Sequence, residues 1–144
     1  MSTMSAFLKK NKTIKPNAFF PATKSLCDEE GKPLMWEIKP VSTKEDEKIR
    51  DACTKEVPIP GKPGMYRNKV DAGAYIGKLL AASVVFPDLY NAELQDSYDV
   101  KTPEDLIKEI IDDPGEFTQF TAFVQNLNGF NISIGEQIDE AKNS

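Results

Sequence analysis

Residues 71–98 read DAGAYIGKLLAASVVFPDLYNAELQDSY and form the most apolar stretch of the chain. Ala72, Tyr75, Ile76, Leu79, Leu80 and Val84 recur at the spacing of one helical face, which predicts a helix with an apolar stripe. Asp71 is placed to cap its first turn, because a carboxylate accepts amide protons that a helix start leaves unpaired. Pro87 has no amide hydrogen and drives Phe86 out of helical space, so the helix is expected to stop near Val85. Residues 88–91 then read as a turn, with Asn91 capping a short helix over 92–98. A buried helix, a proline corner and a short helix make a core hairpin around which the rest of the chain is arranged.

Upstream, residues 17–23 (NAFFPAT) have extended character, and Pro21 confines them to a sheet edge. Residues 28–32 (DEEGK) are a turn, with Gly31 free to take positive φ. In residues 34–39 (LMWEIK), Leu34, Trp36 and Ile38 alternate with Met35, Glu37 and Lys39. The pattern predicts a β-hairpin with one face on a helical core. Trp36 shares its face with apolar residues, which marks it as a core anchor rather than a stacking platform for a ligand. Ser42 and Glu45 form a capping box that opens a helix to about Thr54. Only Ile49, Ala52 and Cys53 make its apolar stripe, so it is expected to lie across the core surface. Residues 57–64 (VPIPGKPG) forbid a central strand or helix, and Gly61-Lys62-Pro63 lacks the phosphate-loop pattern. Residues 65–70 are expected to return as a short strand against 56–59. The 56–70 segment is thus a loop or weak hairpin open to a partner.

Downstream, Thr102 caps a helix with Pro103 at its first position, and Leu106, Ile107, Ile110 and Ile111 form its buried stripe. Asp113 caps another, with Pro114 first and Glu116 third. Phe117, Phe120, Phe123, Val124 and Leu127 give it an aromatic face, which at helical spacing reads as core. Gly129 is the expected C-terminal cap. Ile134 and Ile138 are the apolar pair of a last, weakly docked helix. The fold class is α+β, mostly helical: an N-terminal β-hairpin packed on four to five helices. It is expected to be one domain over 1–144, with a flexible basic arm over 1–15.

A chain of 144 residues buries roughly 68–70% of its extended surface, enough for a core without metal or disulfide staples. The net charge of −5 disfavours nucleic acid as a partner. Nothing in it reads as a membrane span or signal peptide, so the expected location is the cytoplasm. The two cysteines, Cys27 and Cys53, match no metal spacing and read as free, buried or half-buried thiols. There is no histidine, which removes the commonest general base and nitrogen metal ligand. Acidic clusters at 28–30, 45–47 and 112–113 sit at turns and helix starts, where capping accounts for them. The residues therefore predict no catalytic, cofactor or metal site; protein binding is the remaining business.

Several blocks, in order, carry a likeness. They are GKPLMWEIKP at 31–40, DACTK at 51–55, YIGKL at 75–79, ASVVFPDL at 82–89, AELQDSY at 92–98, PGEF at 114–117, NGF at 128–130 and EAKN at 140–143. This array resembles the XkdN-like phage tail assembly chaperones over nearly the whole chain. Asp99 stands where the family's Ser-Tyr-Gly run would place a glycine. The resemblance implies a protein that coats the tape measure protein, keeps it soluble and hands it to the growing tail tube. Such a protein works in the host bacterial cytoplasm and is absent from the mature virion. It further implies the major tail tube protein and a frameshift-extended form of the chain as other partners. The alternative is a small structural tail or adaptor protein retained in the virion. Exposed ends and open segments point to Tyr66, Tyr90, Phe117, Phe120, Ile134 and Ile138 as partner-binding residues.

Overall fold

The computed structural model describes residues 3–130. Two 3-10 turns, Met4–Phe7 and Lys9–Asn11, lie exposed at the start. Strands β1 (Ala18–Phe20) and β2 (Trp36–Ile38) follow, then helix α1 (Thr43–Ala52). A ribbon of β3 (Thr54–Pro58) and β4 (Tyr66–Val70) leads into helix α2 (Ala72–Ser83) and strand β5 (Val84–Phe86). Helices α3 (Ala92–Ser97), α4 (Pro103–Ile110) and α5 (Pro114–Leu127) complete the described chain. The fold is α+β: among the described residues it has five α-helices and antiparallel strands, with the expected N-terminal hairpin on the helical side.

The caps act as the residue types dictate. The Asp71, Asn91, Thr102 and Asp113 side chains accept from the amides of Ala74, Leu94, Asp105 and Glu116. Ser42 and Glu45 close a reciprocal box on α1. Gly129, at φ 84°, ends α5 in a Schellman motif: its amide bonds Asn126 and that of Phe130 bonds Gln125. The same motif ends α3 around Asp99, whose φ is 56°.

Helix α2 is the hub. Leu79 and Leu80 are buried, and the helix touches α1, α4, α5 and β5. It stops at Ser83, two residues before the expected end, because residues 84–86 leave to pair with β2. Ile38 faces Val84 and Glu37 faces Phe86, with a bulge between the pairs. The sheet order is therefore β1-β2-β5. Its inner face is built from Phe20, Trp36 and Ile38 against α5. Phe20 stacks on Phe123 at 4.3 Å between ring centroids, and Trp36 meets Phe120 edge-on at 5.4 Å. Leu34, expected inward, is 43% exposed, because β2 begins only at Trp36 and the chain before it belongs to the turn arm. Cys53 is buried, whereas Cys27 is exposed on that arm rather than half-buried; both thiols are free.

Polar clasps fix the early chain to the late helix. Thr23 Oγ1 and the Lys24 amide donate to the two oxygens of Glu116, at 2.8 and 2.9 Å. The amide of Lys24 and the hydroxyl of Thr23 hold the Glu116 carboxyl below its ordinary pKa. The Val41 amide donates to Asn128 Oδ1 at 2.6 Å, and Lys15 Nζ donates to the Leu127 carbonyl at 2.7 Å. Helices α1 and α2 are joined by Asp46, Arg50 and Tyr75. The Tyr75 hydroxyl and Arg50 Nε both donate to Asp46, and the guanidinium lies 4.6 Å from the tyrosine ring centroid. Burial and the hydrogen bond to Asp46 push the Tyr75 phenol up to about 12.

Candidate protein-docking surface

Successive strand residues point to opposite faces, so Phe19 and Phe20 cannot both be buried by one helix layer. Phe20 faces α5. Phe19 faces outward, and the register puts it in line with Glu37 on β2 and Phe86 on β5. Phe19 is 61% exposed and Phe86 is 63% exposed. The Asn17 side chain donates to Glu37 Oε2 at 2.9 Å and fixes the carboxylate of the residue that separates the two phenylalanines in the row. Adjacent strands lie about 4.8 Å apart, so the rings stand on Cα positions roughly 10 Å apart. That distance is close to the diameter of an α-helix with its side chains.

The surface continues around the proline corner. Leu89 is buried, and the Gln95 side chain donates to its carbonyl at 2.8 Å. The Asp88 carboxylate accepts the Tyr90 amide, leaving Tyr90 on the outside at 69% exposure. Phe86, Asp88, Asn91, Glu93, Leu94 and Ser97 line a shallow recess of about 430 Å³ beside it. Two exposed aromatic rings, a fixed carboxylate and an acid-rimmed recess can hold an apolar segment with a cationic neighbour. They offer no nucleophile–base pair. Among the described residues, no group of three or more metal-ligating side chains occurs.

The expected binding residues divide. Tyr90 lies at this surface. Tyr66 is exposed on the β3–β4 ribbon, opposite Pro58, and belongs to a different element. Phe117 is half-buried against the core. Phe120 is fully buried beneath Phe20 and Trp36, so it is a core residue and not a contact for a partner. Ile134 and Ile138 lie outside the described residues. Phe19 and Phe86 were not among the expected residues. The Phe-Phe pair in an extended stretch was the signal for Phe19; Phe86 gave none without β5.

A family model described as phage XkdN-like tail assembly chaperone protein, TAC, matches residues 4–142. The chain belongs to the XkdN-like phage tail assembly chaperone family. Within this family it is similar to the phage-like element PBSX protein XkdN of Bacillus subtilis strain 168. The two are 22% identical over 139 residues, covering 96% of this chain and 93% of that one. The protein YqbN of the same strain is 20% identical over 123 residues, covering 85% and 81%. The crystal structure of a protein YqbN has the same fold, with a TM-score of 0.75 at 18% identity. That similarity covers 91% of this chain and 99% of the other. The role of this family member lies in phage tail assembly. Among the described residues, no helix is long and apolar enough to cross a membrane.

Proposed function

We propose that this chaperone holds apolar segments of the tape measure protein on its Phe19–Glu37–Phe86 face during tail tube assembly. It does so in the host cytoplasm and leaves before the virion is complete. The observation that carries the reading is the row of two well-exposed phenylalanines, Phe19 on β1 and Phe86 on β5, that flank Glu37 across the three-stranded sheet. Large exposed apolar side chains in register mark interaction sites. A helix of a tape measure protein would lay its apolar stripe between the rings and a Lys or Arg on Glu37. Few anchors and a polar rim give the modest affinity that release requires.

The test is co-expression with the tape measure protein, followed by separation of soluble and insoluble fractions. The wild-type chain is expected to keep the partner soluble, and a Phe19→Ser/Phe86→Ser variant of unchanged fold to lose that effect. Full retention by the double variant would remove the assignment of this face. Mass spectrometry of purified virions beside the lysate tests the second half: a fixed copy number in virions would make the chain a tail component instead.

A further inference from the structure

The β3–β4 ribbon carries charge of the opposite sign to the rest of the chain. Residues 54–70 hold Lys55, Lys62, Arg67 and Lys69 against Glu56 alone, in a protein of net charge −5. The register sets Lys55 directly opposite Lys69 and Val57 opposite Arg67, so Lys55, Lys69 and Arg67 share one face of the ribbon. Like charges directly opposed weaken a strand pair. Asp71 relieves one of them, bonding Lys55 Nζ at 2.6 Å. Among the described residues, nothing is ion-paired to Arg67 or Lys69.

The counter-charge is elsewhere in the same chain. Residues 88–116 hold ten Asp and Glu against Lys101 and Lys108. On α4, Asp105 and Glu109 are both exposed and one turn apart, about 6 Å between their Cβ atoms. Neither is ion-paired among the described residues, and Glu109 lies in the last turn, where the helix dipole disfavours an anion. Arg67 and Lys69 are two residues apart on a strand, a rise of about 6.8 Å. Two unneutralised pairs of opposite sign and matching spacing thus sit on separate elements of one molecule.

We propose that the cationic face of the β3–β4 ribbon docks on the Asp105–Glu109 face of α4 in a second copy of this chain. Free polyanions fit less well, because the acidic 88–116 surface repels them while a second copy supplies anion and cation together. Each copy carries both halves of the contact, so a two-fold dimer makes it twice, ribbon to helix and helix to ribbon, whereas a heterologous arrangement makes it once per interface and propagates as a row or ring. It is independent of what the Phe19 face binds.

Sedimentation of the full chain alone tests this. At low salt the average mass is expected to rise with concentration. It should return to the monomer in 1 M salt, where the Debye length is about 3 Å. Arg67→Glu/Lys69→Glu and Asp105→Lys/Glu109→Lys, each folded by circular dichroism, should each weaken self-association at least about tenfold. Mixed together, the two variants should associate again, because each supplies the reversed half of the other's contact. A wild-type chain that stays monomeric at low salt would overturn the proposal. So would a mixture that fails to recover association, or low-salt binding to a DNA duplex in place of self-association.

Discussion

Asp99 is the one non-glycine among the described residues with positive φ, at 56°. It occupies the left-handed position of the Schellman motif that ends α3, and its carboxylate lies at the negative end of that helix. Replacing it by glycine has three consequences. The left-handed backbone costs an L-residue roughly 1 kcal/mol, somewhat less for Asp, and this cost disappears. Removing an anion from a helix C-terminus adds about 0.3–1 kcal/mol. The greater freedom of glycine in the unfolded chain takes back about 0.4–1 kcal/mol. The net expectation for Asp99→Gly is a gain of about 0.5–1 kcal/mol, or a Tm higher by roughly 2–4 °C. Asp99→Ala removes the same charge but keeps a Cβ at positive φ, without the local hydrogen bonding that lets Asp tolerate it. The lost charge repulsion and the added backbone cost roughly offset, so it should stay within about 0.5 kcal/mol of wild type and fall below Asp99→Gly. Trp36 is the sole tryptophan and is buried, so its emission during urea unfolding reports the transition directly. An Asp99→Ala variant as stable as Asp99→Gly would refute the reasoning, since backbone conformation would then not be limiting at this site.

Phe120→Ala should cost about 3–5 kcal/mol in urea unfolding, because it empties the contact between Trp36, Phe20 and α5. Phe19→Ala, one strand position from Phe20 but outward-facing, should stay within about 0.5 kcal/mol of wild type. Stability should fall at both ends of the pH scale through the α1–α2 junction. For Asp46, burial raises the carboxyl pKa, but the hydrogen bonds from Tyr75 and Arg50 outweigh it and leave the group below its ordinary value. Its contribution is complete above about pH 4 and is lost as pH drops through the lowered value. The Tyr75 phenol, raised to about 12, contributes fully below pH ~10 and loses that contribution as pH rises to about 12. Thermal melts across pH should show both flanks, and Tyr75→Phe should abolish the alkaline one. The Ser83 hydroxyl is buried with no hydrogen-bond partner. Ser83→Ala should therefore leave stability unchanged or raise it by up to about 1 kcal/mol in the same urea assay.

The helices were legible because their signals are local. Ser42, Asp71, Asn91, Thr102 and Asp113 each announce a start within three residues, and prolines at 103 and 114 repeat the message. The β1–β2 hairpin was legible from alternation and the Asp28–Gly31 turn. Strand β5 was not. It has three residues, and Pro87 explains the end of α2 equally well without it; only pairing with β2, distant in sequence, defines it. The candidate docking surface depends on that pairing, so its row of residues was hidden too. Phe120 shows the converse: its place on an aromatic stripe marked it as core, and burial by the sheet removes it from any surface.

The contacts between β1 and α5 set the order of synthesis against the order of packing. Phe20, Trp36 and the Thr23–Lys24 segment leave the ribosome well before Phe120, Phe123 and Glu116, which cover them. Until then the hairpin has no inner-face partner, and a strand pair without one is marginal in water. The nascent chain must therefore carry an uncovered tryptophan and phenylalanine until α5 has been made. For that interval the chain exposes apolar surface of the kind that holding factors bind.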